Sequence, residues 1–326
     1  MSSHSGSLPY LALLRFTGAD AIAFLQGQIT NDAQRLAAGH GLLAAVASPQ
    51  GRVLALLQLL PAPDGVLAIL PRELLEPTTE RLRKFVLRAK LRIEPAGEAL
   101  AVAGATDAAP LAAAGLEVPE APDGYRQTSL IGIGRVLGDP RRFWVVAPPA
   151  ELAARGLAGD PRDAARRERD WRLADVRAGL AQVYAATREA FIPQMLNLDL
   201  VGAISFQKGC YTGQEIVART QHLGRIKRRL WRVRTRVDAP LGANVRVPDG
   251  RVGRLTELQP AGQGYEGLAV LPIAPPETAD LSTPADASTS TEAPTSAGDA
   301  AANAAAAPPI AAELLPLPYA LDTATA

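Results

Sequence analysis

The chain has 326 residues, with 34 Lys and Arg against 33 Asp and Glu and a formal net charge of +1. That balance excludes a general electrostatic pull toward nucleic acid or membrane surfaces. A single cysteine excludes an internal disulfide and suits a reducing compartment, and no apolar run reaches the roughly 20 residues that span a bilayer.

Met1 to Ser7 is polar, without the charged-then-apolar layout of a signal peptide, so a cytoplasmic protein of two or three domains is expected. Leu8 to Phe16 reads as a strand. Thr17, with Asp20 three residues on, opens a helix that sets Ile22, Leu25 and Ile29 on one face. Leu42 to Ser48 and Val53 to Leu60 flank Pro49-Gln50-Gly51-Arg52 as a hairpin, and Asp64-Gly65 turns the chain into a strand at Val66 to Leu70. A helix follows with Pro77 in its first turn and Leu82, Phe85 and Val86 inward, then a strand at Leu91 to Ile93. Leu100 to Ala103 and Phe143 to Val146 read as strands around an Ala-rich helix, Ala108 to Ala114, forming a second small αβ unit. Arg162 to Arg177 alternates charge signs, the pattern of a solvated helix face, with Trp171 its only aromatic residue.

Gln207 to Arg219 carries the lone Cys210. Thr212 and Glu215 have capping-box spacing, which predicts a helix from Gly213 to about Gln221 with Gly224 as its stop. Cys210 then precedes the positive end of that helix and lies two residues from Lys208, and both neighbours favour thiolate. The same residues also permit a cap that is only a cap and a cysteine that is buried and inert. Arg225 to Arg236 contains no acid. It alternates Trp231, Val233 and Thr235 with Arg232, Arg234 and Arg236, as in a strand with one wet side. This face is either plain surface or a weak polyanion contact, such as tRNA phosphates or the polyglutamate tail of a cofactor. Short strands near Val245, Val252 and Leu268 suggest a small β-barrel, closed by Ile310 to Tyr319. Ala274 to Pro309 has hardly any bulky apolar residue and is expected to be a disordered insertion.

Cys210 is the one credible nucleophile or soft-metal ligand, although a cluster takes about four protein ligands. His4, His40 and His222 show no metal spacing, so no resident metal site is expected.

The run Lys208-Gly209-Cys210-Tyr211-Thr212-Gly213-Gln214-Glu215 resembles the signature of the YgfZ family of folate-binding proteins, relatives of the glycine-cleavage T-protein (aminomethyltransferase). The segments Phe191-Ile192-Pro193-Gln194, Asn197-Leu198, Gly202 to Phe206, Phe24 to Thr30 and Leu315 to Tyr319 also resemble that family, so the likeness covers nearly the whole chain. The resemblance implies an α+β, T-protein-like fold: two ferredoxin-like αβ units and a C-terminal antiparallel β-barrel around a central cavity. The units would be 8–95 completed by 165–225, 96–164, and 226–326 with the insertion 274–309.

It also implies tetrahydrofolate or a derivative as cofactor. A transient iron–sulfur cluster shared with a partner is a second option. The implied role is an accessory one for iron–sulfur clients such as radical tRNA-modifying enzymes; a folate-dependent aminomethyl or one-carbon transferase is the alternative. The functional set is Cys210 with Lys208, Gly209, Tyr211, Gly213, Gln214 and Glu215. Trp171 would lie against folate, although on sequence alone it reads as a core anchor. Leu11 falls where the family has a second tryptophan, which keeps apolar contact but gives up stacking; Tyr10 is the residue that would compensate. Arg177 replaces the acid of the family's Glu-Ala-Gly segment, and no counterpart of the transferase's catalytic acid stands around Ser48 to Arg52. Both absences argue against aminomethyl transfer.

Overall fold

The computed structural model describes residues 5–128, 130–222, 226–273 and 308–321. The Gly224 stop and nearly all of the expected insertion 274–309 lie outside these residues.

Three sheets organise the chain. The first runs, edge to edge, Leu42–Ala47, Val53–Ala62, Gly65–Pro71, Leu11–Thr17 and Arg92–Pro95, with antiparallel neighbours throughout. Its central strands are apolar on both faces because both are covered. Leu14 and Phe16 point into the main core with Val66, Ala68 and Leu70. Leu11 and Leu13, with Leu67 and Ile69, point to a second cluster shared with Val136, Trp144, Val146, Trp171 and Leu180. That second cluster joins the first sheet to the second.

The second sheet is ordered Ser5–Ser7, Ala101–Ala105, Asp139–Ala147, Ile131–Val136 and Tyr125–Thr128, again antiparallel. The strands at 5–7, 125–128 and 131–136 were not expected from the sequence. Its outer face closes over Leu111, Leu116, Leu152 and Leu157.

The third sheet is a half-barrel of six strands: Ile310–Ala311, Asn244–Arg246, Val252–Ala261, Gly264–Pro272, Arg228–Thr235 and Glu313–Leu315. One short stretch, 310–315, pairs parallel with Val245-Arg246 at one edge and antiparallel with Arg232 to Arg234 at the other. It thereby bridges the two edges of the curled sheet. Tyr319 then donates its hydroxyl to the Gly179 carbonyl (2.7 Å) and accepts from Asn197 Nδ2 (3.2 Å), which docks the C-terminal Leu-Pro-Leu-Pro-Tyr segment onto the αβ part.

Three expectations change. The helix Ala164–Ala178 is not simply a solvated face. Arg167 is buried and donates to the Asp160 carbonyl, and Arg172 lies between Glu168 (3.0 Å) and the buried Glu257 (2.9 Å) of the half-barrel. The charge alternation is there because this helix is an interface. The basic strand is likewise not wet along its whole length: Leu230 enters the main core, and Arg232 is held by Glu266 and the Pro316 carbonyl. The first helix, Ala21–Gln26, follows Asp20 rather than Thr17, which ends the strand Leu11–Thr17; the Asp20 carboxylate caps no helical N–H but accepts from the Lys90 N–H at 2.6 Å. No helix of the described residues is long and apolar enough to cross a membrane.

Candidate functional site

The cysteine motif is held from three sides. Lys208 Nζ donates to the carbonyls of Gln26 (2.6 Å), Ile29 (2.7 Å) and Asn31 (3.0 Å), which uses all three hydrogens of an ammonium. Burial pulls its pKa down to about 8, a pull that the three carbonyl acceptors oppose. Lys208 is therefore a clamp on the 24–31 segment, where the sequence suggests a tuner of the thiol. Thr30 and Asn31 add to the join: Thr30 Oγ1 donates to the Ala203 carbonyl (2.8 Å), and Asn31 Nδ2 donates to Leu43 and Gly202 (both 2.9 Å). Two segments nearly 180 residues apart, each matched to the family from sequence, turn out to be one hydrogen-bonded unit.

Gly213, at φ +82°, sets the second contact. A Cβ there would fall 2.3 Å from the Ser48 carbonyl oxygen, so the start of the helix Gln214–His222 lies directly on the 48–52 hairpin turn. Gly209 has open space around it. Tyr211 is buried under the loop, which raises its hydroxyl to about 12. The third contact comes from Gln194, whose Nε2 donates to the Val217 carbonyl (2.7 Å). Cys210 itself is exposed and free, which removes the buried, inert reading.

The expected capping box is replaced. The Tyr211 N–H donates to the Gln214 side chain at 3.3 Å, and the exposed Glu215 turns to Arg219 at 3.5 Å. His222 stacks edge-on against Phe206 with centroids 6.0 Å apart. Among the described residues no cluster of His, Cys, Asp and Glu could hold a metal ion.

A second feature lies where the first two sheets and the end of the helix Ala164–Ala178 meet. There a cavity of about 50 Å3 is lined by Tyr10, Leu11, Gln58, Trp144, Asp175 and Leu180, among others. Gln58 and Trp144 each carry a buried side-chain N–H group, Nε2 and Nε1, with no hydrogen-bond partner. Other buried side-chain atoms of the described residues, Trp171 Nε1 and Trp231 Nε1 among them, also lack a partner; Gln58 and Trp144 differ in belonging to the lining of this cavity. Asp175 supplies a carboxylate, held by Arg142 Nη2 at 2.7 Å; burial raises its pKa against the pull of that arginine. Burial also holds the Tyr10 hydroxyl well above the ordinary tyrosine range.

Leu11 lines this cavity. Trp171 is one layer behind, tilted against Trp144 with ring centroids 4.8 Å apart and covered on another side by the Arg142 guanidinium. A Cβ at Gly104 would strike its ring. The aromatic residues on the wall are Tyr10 and Trp144, and sequence reasoning missed Trp144 because it sits in an unbroken apolar stretch of its strand. Arg177 does not reach the cavity; it pairs with Glu266 of the half-barrel at 3.1 Å. No residue of the cysteine motif lines the cavity. One hairpin connects the two features: its turn at 48–52 carries the motif, and Leu43 and Gln58 further along face the cavity. From Val53 to Gln58 a strand advances about 17 Å.

No protein-family model matches the chain. A protein of Yersinia pestis named tRNA-modifying protein YgfZ is 34% identical over 229 residues, 69% of either chain. The protein of the same name from Escherichia coli is 36% identical over 225 residues, 68% of either chain.

The chain belongs to the YgfZ family.

Among solved structures, the aminomethyltransferase T of the glycine cleavage system from Bartonella henselae superposes with a TM-score of 0.66 over 83% of this chain and 79% of that one, at 19% identity. The mixed α+β fold of this YgfZ-family chain is thus T-protein-like.

Proposed function

We propose that this chain is a tetrahydrofolate-binding accessory protein that supports iron–sulfur enzymes, including those that modify tRNA, and that it acts through the Cys210 thiol. The observation that carries the reading is the pair of orphaned N–H groups on the cavity between the sheets. An unfilled donor pair beside a carboxylate suits the polar edge of a pterin: the N–H of Trp144 and Gln58 would meet ring acceptors, and Asp175 would accept from ring N–H groups. Leu11 and Tyr10 would border the ring's faces. The donor set fits, whereas the cavity's size as it stands, about 50 Å3, is below what a bicyclic ring occupies, so a wall side chain must turn aside. Folate, when bound, supplies a one-carbon carrier. The chain's own part is to hold that carrier in the cavity and to present a free thiol on a fixed loop about one strand-length away. The relatives' name, tRNA-modifying protein, supports the tRNA end of the proposal. Three units, 8–95 with 165–225, 96–164 and 226–326, would form the ring around the cavity, and the chain would work in the cytoplasm.

A Cys210→Ala gene should fail to restore thiolated tRNA in a strain lacking its own family member; full rescue would refute the thiol mechanism. A second reading, a folate-dependent transferase, gains from Asp175, a cavity carboxylate that sequence inspection did not find. Turnover of tetrahydrofolate to a methylene form with an aminomethyl donor, lost in Asp175→Asn, would select it. For a weak tRNA contact, Arg234, Arg236 and Arg246 border a groove of about 630 Å3 on the half-barrel. Binding there should weaken steeply with salt.

A further inference from the structure

We infer that the groove outside Leu180 receives the carboxylate-bearing tail of the ligand whose flat head enters the central cavity, with Arg177 as the residue that reads the tail. The inference rests on the folate reading above. The two spaces are neighbours. The cavity wall includes Leu137, Asp175 and Leu180, and the adjoining groove of about 490 Å3 is lined by Gly138, Ala174 and Arg177. Gly138, at φ +83°, approaches so closely that a Cβ there would lie 2.5 Å from Leu180 Cδ2. Leu180 and the Gly138 turn are therefore the partition. The Leu180 side chain makes no hydrogen bond that its displacement would break, and the groove beyond has room to take it. A head too large for 50 Å3 gains its space on this side, and whatever is attached to that head then lies in the groove.

Charge indicates what that attachment is. Arg177 is 55% exposed and shares the Glu266 carboxylate with Arg232 at 3.1 Å and Arg234 at 3.9 Å. Glu266 is thus shared by three guanidinium groups, of which Arg177 is the one that lines the groove. Of the acids of the groove, Asp139 shares the buried Arg142 with Asp175, at 2.8 and 2.7 Å, and the exposed Asp170 stands 3.8 Å from Arg166. Arg141 is 87% exposed and stands 4.0 Å from Asp139. A neutral ligand gains nothing from this arrangement. A neutral head with a chain of carboxylates, as in folyl polyglutamates, gains charge-assisted hydrogen bonds from Arg177. The residue that departs from the family's acid is thus given a use at the mouth of the cavity.

The test is titration calorimetry of the full chain with tetrahydropteroate, tetrahydrofolate and tetrahydropteroyltriglutamate, which carry no, one and three glutamates. Wild type should bind the triglutamate about fivefold or more tighter than the tail-less form. Arg177→Gln should lose that gain while binding the tail-less form as wild type does, and Arg177→Lys should retain most of it. Equal affinity for all three ligands in wild type, or equal weakening of all three in Arg177→Gln, overturns the inference while leaving folate binding intact. Failure of all three to bind wild type overturns the folate reading and this inference with it.

Discussion

Lys208→Met separates two roles for the lysine of the motif. Methionine keeps the length and much of the apolar stem but leaves the Gln26, Ile29 and Asn31 carbonyls without the donor that now reaches them at 2.6, 2.7 and 3.0 Å. A hydrogen bond to a charged group contributes about 1.5–3 kcal/mol. Water reaches part of this half-buried loop after substitution, and burial already disfavours the ammonium, whose pKa is drawn toward 8. The three bonds are therefore not additive, and a net loss of about 2–4 kcal/mol is expected. Urea denaturation measures that loss, and the rate of Cys210 alkylation by iodoacetamide at pH 7 reports on the thiol. A clamp that is released loosens the loop, so alkylation should hold steady or quicken. Stability within about 0.5 kcal/mol of wild type, together with severalfold slower alkylation, would refute the clamp. That pattern is what a lysine acting on the thiolate would give.

Gly213→Ala forces a side chain into a left-handed position and toward the Ser48 carbonyl; it should cost about 2–4 kcal/mol, and an unchanged urea midpoint would contradict the contact. Asp199→Ala removes one half of a buried bidentate pair, Arg229 to Asp199 at 2.6 and 2.8 Å, and should cost about 3–5 kcal/mol in thermal or chemical denaturation. Glu266 is held below the ordinary glutamate value of 4.5, first by its hydrogen bonds from Arg177. Because its folded pKa is the lower one, its stabilisation is complete above about pH 4.5 and is lost as pH falls below that value through the folded pKa. Glu266→Gln should flatten stability against pH in that acid range; identical slopes for the two proteins would contradict it.

The first sheet was legible because its strands are long apolar runs separated by Gly-bearing turns. In the second sheet, Ile131–Val136 escaped notice because Gly132 and Gly134 interrupt its pattern. Those glycines are there for packing: a Cβ at Gly132 would meet the Tyr125 ring, and one at Gly134 would meet Leu60. Ser5–Ser7 has no large side chain to announce a strand. At the site, the motif was plain, but its neighbours in space were not. Sequence places Lys208 beside Cys210, whereas its hydrogen-bond partners are 177 to 182 positions away. Gln58 and Trp144 lie within apolar strands, and only the tertiary fold shows their N–H groups to be without partners. Neither expected cap forms: at the first helix the Asp20 carboxylate is taken by the distant Lys90 N–H, and ahead of the helix Gln214–His222 the Tyr211 N–H turns to the Gln214 side chain.

The central claim is that the cavity between the sheets is a folate site, and Gln58→Leu tests it most directly. Removing a buried amide that lacks a partner should leave the unliganded protein equal or more stable, by up to about 1 kcal/mol. The same change should weaken tetrahydrofolate binding about tenfold or more in calorimetric titration, because the ligand would lose a buried hydrogen bond. Stability maintained with binding lost would mark Gln58 as a residue kept for a ligand. Wild-type tetrahydrofolate affinity in Gln58→Leu and in Trp144→Phe would contradict the account.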